Sequence, residues 1–217
     1  MYDFEDARRR MVSGQIRVHD VTDKRIQDAM VRLPRERFVP RSQHAHAYAD
    51  MEIAGGEGRT LMRPRDFAKL IQAADLRSRD IVLDIACARG YSTAVLADIC
   101  ETVVGLEDND EAIERATARL SEVGADNAVV VRGELKDGVP DQGPFDVIVV
   151  NGAVEVVPDA WFDQLAEGGR LAVVVREGPV GRATIFWRAG GKIDEWEAFD
   201  ATQPVLPGFE REAGFVF

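Results

Sequence analysis

Residues 81–107, IVLDIACARGYSTAVLADICETVVGLE, constrain this chain more than any other stretch. The apolar run at 81–85 reads as a buried strand, 86–90 as a tight turn, 91–99 as a short helix, and 102–107 as a second strand closed by an acid. That succession is a nucleotide-binding βαβ unit: the helix start offers free N–H groups, and Glu107 can accept both hydroxyls of a ribose. Glu107 lies 17 residues beyond Gly90, near the spacing of such units. A turn of this kind needs glycine so that backbone can approach a ligand closely. Here it reads Ala86-Cys87-Ala88-Arg89-Gly90, with one glycine.

Strand and helix signals keep alternating on either side. Residues 66–74 place Phe67, Leu70, Ile71 and Ala74 on one helical face. Residues 110–123 form a helix closed by Gly124, 128–131 a strand, 145–150 (FDVIVV) a buried strand, 158–165 a helix with Pro158 in its first turn, and 170–175 another buried strand. Two runs at 183–188 and 193–199 flank Ala189-Gly190-Gly191-Lys192, a hairpin signal. The expected fold is α/β: a parallel sheet with helices on both faces and an antiparallel hairpin at one edge. Upstream, 3–16 and 22–33 read as helices, the second capped by Thr22 and stopped by Pro34. Residues 34–60 are expected to be mostly irregular, and so long an irregular segment inside a compact domain is usually functional.

The net charge of −11 argues against binding a nucleic-acid backbone or an anionic membrane, both of which need clustered Lys and Arg. No apolar run approaches the roughly 20 residues that span a bilayer, and MYDFEDARRR does not read as a signal peptide. Two cysteines, Cys87 and Cys100, sit at no metal spacing and suit a reducing cytoplasm. His44 and His46 lack a third ligand, so no metal site is expected.

Several motifs together resemble the protein-L-isoaspartate O-methyltransferases: MVSGQIR at 11–17, Thr22-Asp23, PRERFVP at 34–40, Tyr48-Ala49-Asp50, residues 82–97, 145–150, and QLAEGGRL at 164–171. The N-terminal motifs are peculiar to that family, whereas the sheet is shared by many methyltransferases. The resemblance implies a Rossmann-like class I methyltransferase sheet (residues 66–217) with an N-terminal helical lid segment (1–65). It also implies S-adenosylmethionine as cofactor and a protein or peptide carboxylate as substrate.

Carried over by position, the resemblance assigns Asp84, Ala86, Cys87, Ala88, Arg89, Gly90, Glu107, Asp108, Gly133, Glu134 and Asn151 to the cofactor. Glu107 would hold the ribose. Glu134 stands where the family has an aspartate facing the adenine amino group. Ala86, Ala88 and Gly90 take the places of three glycines along the methionine part, and Cys87 and Arg89 replace small polar residues. Thr60, Met62, Arg63 and Asn151 are the candidates at the reacting end, with Met62 where the family carries a substrate-contacting serine.

Methylating a carboxylate needs no general base, because the acceptor, with a pKa near ~4, is already ionised at neutral pH. Positioning and exclusion of water are what remain. Arg59, Arg63 and Arg65 crowd one loop, where a guanidinium fork could clamp a carboxylate; the plain alternative is solvation or pairing with nearby acids. Arg89 has three readings: a partner for the cofactor's carboxylate, a plug in its pocket, or a solvent-facing residue. Cys87 reads as a buried small residue rather than a nucleophile. Two alternatives stay open beside protein repair: methylation of a different acid, and a methyltransferase fold that has lost its cofactor and only binds a partner.

Overall fold

The computed structural model describes residues 3–211. Seven strands form one sheet in the order β5-β4-β3-β6-β7-β8-β9. They are β3 (Ile81–Ile85), β4 (Thr102–Glu107), β5 (Ala128–Arg132), β6 (Phe145–Val154), β7 (Leu165–Glu177), β8 (Val180–Ala189) and β9 (Lys192–Asp200). β5 through β7 run parallel, and β8 and β9 return antiparallel. Chain order reverses between β3 and β6. Crevices for ligands open at the carboxyl ends of strands at such a switch point.

Alternation along the central strands feeds two cores. Val82, Val103, Val147 and Val149 point into one, while Leu83, Val104, Ile148 and Val150 point into the other. The first core also takes Met11, Ile16, Ile26, Met30, Phe38, Ile53 and Met62, so residues 11–62 share a core with the sheet. Its helices are α1 (Phe4–Met11), α2 (Lys24–Arg32), α3 (Pro64–Ala73), α4 (Tyr91–Ala97) and α5 (Asp110–Val123). The second core is closed by α6 (Asp159–Asp163) and by Leu206 and Phe209.

Element boundaries depart from expectation where local chemistry outweighs pattern. The first helix ends at Met11 and widens into a π-turn over Val12–Ile16, a stretch holding the weak helix formers Ser13 and Gly14. Asp23, not Thr22, caps α2: its carboxylate accepts the Arg25 N–H at 2.8 Å, while the Thr22 N–H donates to Gln72. The segment expected to be irregular holds two 3-10 turns, at Arg35–Phe38 and Arg41–His46, and a hairpin of β1 (Ile53–Gly56) and β2 (Arg59–Leu61). Both turn residues of that hairpin have positive φ, Glu57 at 52° and Gly58 at 76°, as a two-residue turn matching strand twist requires. β6 and β7 both outrun their predicted ends, and α6 is shorter than expected.

Trp161 anchors the second core. It is fully buried, donates its indole N–H to the Leu135 carbonyl at 2.9 Å and stacks on Phe209 with ring centroids 5.4 Å apart. Trp161→Ala is expected to cost about 3–5 kcal/mol, a fall in melting temperature of roughly 6–20 °C for a domain of this size. A calorimetric melt checks it, and a fall of less than about 2 °C contradicts this packing.

Candidate active site

The carboxyl ends of β3, β4 and β6 converge on the 86–90 turn. Ala86 and Ala88 both take left-handed backbone, with φ of 56° and 51°, and Gly90 follows at 86°. The alanines therefore keep the shape that glycine would give, at a steric cost of about 1–2 kcal/mol each. The Cys87 carbonyl accepts the Gly90 N–H at 2.8 Å, and Gly90 opens α4. Cys87 is buried against Gly105, where an added Cβ would lie 3.0 Å from its sulfur. Burial, with Asp84 and Glu107 nearby, pushes its thiol well above the ordinary range. Such a thiol is no nucleophile at neutral pH.

Behind the turn sits a polar knot. Asp84 is fully buried at the end of β3; its Oδ2 accepts from Ser92 Oγ at 2.7 Å and Thr93 Oγ1 at 2.6 Å, and its Oδ1 from Asn151 Nδ2 at 2.7 Å. Asn151 also donates to the Ile85 carbonyl at 3.0 Å, locking β6 to β3. Burial pushes the Asp84 carboxyl up to about 6, against the pull of those three donors.

Glu107, at the tip of β4, is inaccessible to solvent (0 %). Its Oε2 accepts the Ala88 N–H and its Oε1 the Asp108 N–H, each at 3.0 Å. Arg59 fills the rest. From β2, 48 residues upstream, its Nε lies 3.1 Å from both carboxylate oxygens and its Nη2 lies 2.6 Å from Oε1 and 2.6 Å from Asp108 Oδ1. Burial pushes the Glu107 carboxyl up, and the guanidinium opposes it. Against the push of burial, Arg59 and Glu107 hold Asp108 below its ordinary value.

The tip of the same hairpin is tied down separately. Arg89 reaches out of the turn to Glu57, with Nε at 2.9 Å and Nη2 at 2.6 Å, and Arg115 of α5 approaches Glu57 at 3.2 Å. A Cβ on Gly56 would lie 2.7 Å from Arg89 Nη2, so the backbone there rests directly on the guanidinium. Of the three readings of Arg89, the solvent-facing one is excluded: its side chain is 12 % exposed and forked onto a carboxylate.

Residues 7–194 match the sequence model of the family described as "Protein-L-isoaspartate(D-aspartate) O-methyltransferase (PCMT)". The chain belongs to this family. A relative from Anaeromyxobacter sp. (strain Fw109-5), a protein-L-isoaspartate O-methyltransferase 2, is 38% identical over 181 residues, spanning 83% of this chain and 74% of that one. A solved protein-L-isoaspartate O-methyltransferase superposes with a TM-score of 0.81 at 26% identity, over 93% of this chain and 66% of its own longer chain. A Plasmodium falciparum structure in complex with S-adenosyl-L-homocysteine shares the fold, with a TM-score of 0.79 at 19% identity over 92% and 97% of the two chains.

Within the frame of this family, the structure gathers Asp84, Ala86, Cys87, Ala88, Gly90, Glu107, Asp108 and Asn151 around one turn. Gly133 joins them through its N–H, which donates to the Glu107 carbonyl at 3.1 Å, and Glu134 follows it, exposed past the end of β5. The reacting-end residues are more scattered. Thr60 pairs with Ala54 across the hairpin, and Met62 is buried in the first core. Arg63 pairs with Glu52 at 3.5 Å, and Arg65 with Asp66 at 3.2 Å and Asp50 at 3.4 Å. Of the three arginines, Arg59 reaches the carboxylate at the tip of β4, and that carboxylate is the protein's own. Glu57 is absent from the residues that the sequence singles out, because its partner Arg89 lies 32 positions away.

The raised Asp84 carboxyl gives stability a pH dependence. The stability tied to its protonated form is complete below pH 3.8 and is lost as pH rises through about 6, a loss of about 3 kcal/mol. In urea unfolding, Asp84→Asn is expected to gain on the wild type by about that amount between pH 4 and pH 7. A difference between the two that stays constant over this range would contradict the assignment.

Proposed function

We propose that this chain is an S-adenosylmethionine-dependent carboxyl O-methyltransferase that acts on a carboxylate of damaged, isoaspartyl-containing protein. The match to the family over residues 7–194 carries this reading, and the acid-tipped β4 beside a left-handed turn supports it. The cofactor supplies an activated methyl group when bound. Glu107 and Asp108, with the 86–90 turn, Gly133 and Glu134, are the residues proposed to receive it. Asp84 and Asn151 hold the ends of β3 and β6 in place beneath it.

Residue chemistry and arrangement disagree at one point. A buried carboxylate at a strand end is the right acceptor for ribose hydroxyls. Glu107, however, has Arg59 across both oxygens and no exposed surface, so the nucleoside does not fit until that guanidinium leaves.

At the substrate end, Thr60 and Arg63 are the residues proposed to border the acceptor site, with the 3–65 segment beside it, while Met62, buried in the first core, has no surface to offer a substrate. No base is required there, since the acceptor carboxylate is already ionised. Residues 3–211 contain no helix long and apolar enough to cross a membrane. The reading further places the chain in the cytoplasm, away from nucleic acid and lipid, in keeping with two free, buried cysteines and a net charge of −11.

Incubation with S-adenosylmethionine and an isoaspartyl peptide is expected to give a base-labile methyl ester on that peptide and none on its aspartyl counterpart. The rate should be level between about pH 6 and 8, because the acceptor titrates near ~4. Mass spectrometry reads the product. Absence of ester on every carboxylate offered, with folded protein and millimolar cofactor, would refute the reading; ester on a different acid would move the substrate and keep the chemistry.

A further inference from the structure

The β1–β2 hairpin is fastened at its base by apolar side chains and at its tip by charge. Ile53 and Leu61 are buried in the first core. Between them, Glu57 forks with Arg89 and meets Arg115, and Arg59 forks with Glu107 and Asp108. Glu57 makes its contact from a left-handed backbone that an L side chain adopts at a cost. Lifting the tip returns the Glu57 and Arg59 charges to water, whereas lifting the base would expose packed hydrocarbon.

Arg59 and a ribose ask for the same atoms. Two hydroxyls on Glu107 need its two oxygens as acceptors, and both lie 3.1 Å from Arg59 Nε, with Nη2 closer still to Oε1. The two backbone N–H groups on Glu107, from Ala88 and Asp108, come from the turn and the strand end and can stay in place when Arg59 leaves. The exchange is therefore local: one guanidinium for two hydroxyls.

We propose that Arg59 is a built-in competitor for the ribose position, so that cofactor enters only as the hairpin tip lifts and the Arg59–Glu107 pair sets the affinity. This rests on the methyltransferase reading above. The arithmetic is that of a binding-competent fraction: if about a tenth of the molecules are open, apparent affinity is about tenfold weaker than that of the open form. The Glu57–Arg89 pair belongs to the same latch, since it holds the tip that presents Arg59.

Isothermal titration of S-adenosylhomocysteine into the full chain tests this, using wild type, Arg59→Gln and Glu57→Gln, each shown to be folded by circular dichroism. Arg59→Gln is expected to bind about tenfold tighter than wild type and Glu57→Gln several-fold tighter. Hydrogen exchange at residues 55–59 of the wild type should quicken when ligand is added. If Arg59→Gln does not fold because Glu107 is left buried without its partner, Glu57→Gln decides, since it leaves the Arg59–Glu107 contact in place. Wild-type binding with neither variant tighter would overturn the competitor role and leave the methyltransferase reading standing. Failure of all three proteins to bind at millimolar ligand would overturn both.

Discussion

One buried ion pair governs what this site can do. Arg59 and Glu107 meet out of contact with solvent, 48 positions apart in sequence, with the guanidinium also reaching the half-exposed Asp108. Such a pair adds little net stability, since desolvating two charges costs about as much as their attraction returns. Removing one partner is another matter, costing about 3–5 kcal/mol because the remaining charge is stranded. A partner that can be exchanged for another hydrogen-bonding group escapes that penalty. Ribose hydroxyls are such a group, so an arrangement that looks closed is also one primed for substitution.

The scaffold around the pair is unambiguous. A sheet that reverses order between β3 and β6 has its switch point at the ends of those strands, the place where ligands bind in such sheets, and the Asp84–Asn151 contact ties them together there. The alanines of the turn keep the left-handed conformation expected of glycine, so their methyl groups are tolerated by the backbone at a price in strain. The departure from a glycine-rich turn therefore changes the surface offered to a ligand more than it changes the path of the chain.

Much of this was legible in the sequence. The 81–107 unit emerges from periodicity alone, because buried parallel strands are continuous apolar runs and the helix between them is short. The antiparallel edge was visible in Gly190-Gly191, and the family in motifs spread over most of the chain. What escaped was long-range pairing. The 53–61 hairpin is short and glycine-rich, and its turn is Glu57-Gly58 rather than the Asn-Gly or Asp-Gly that announces such a turn. Arginines at 59, 63 and 65 suggested a clamp, but spacing cannot say that Arg59 crosses to Glu107 while Arg63 and Arg65 settle on Glu52, Asp50 and Asp66. Nor can spacing say that Arg89 turns away from Glu107 to hold Glu57 at the hairpin tip, while Arg59 is the guanidinium that lies on Glu107.

The most direct measurement is a crystal structure grown with S-adenosylhomocysteine. The account predicts ribose hydroxyls on the Glu107 carboxylate, the Arg59 guanidinium withdrawn from it, and the tip at 55–59 displaced with the Glu57–Arg89 fork broken. A nucleoside bound in the crevice while Arg59 still spans both oxygens of Glu107 would contradict it.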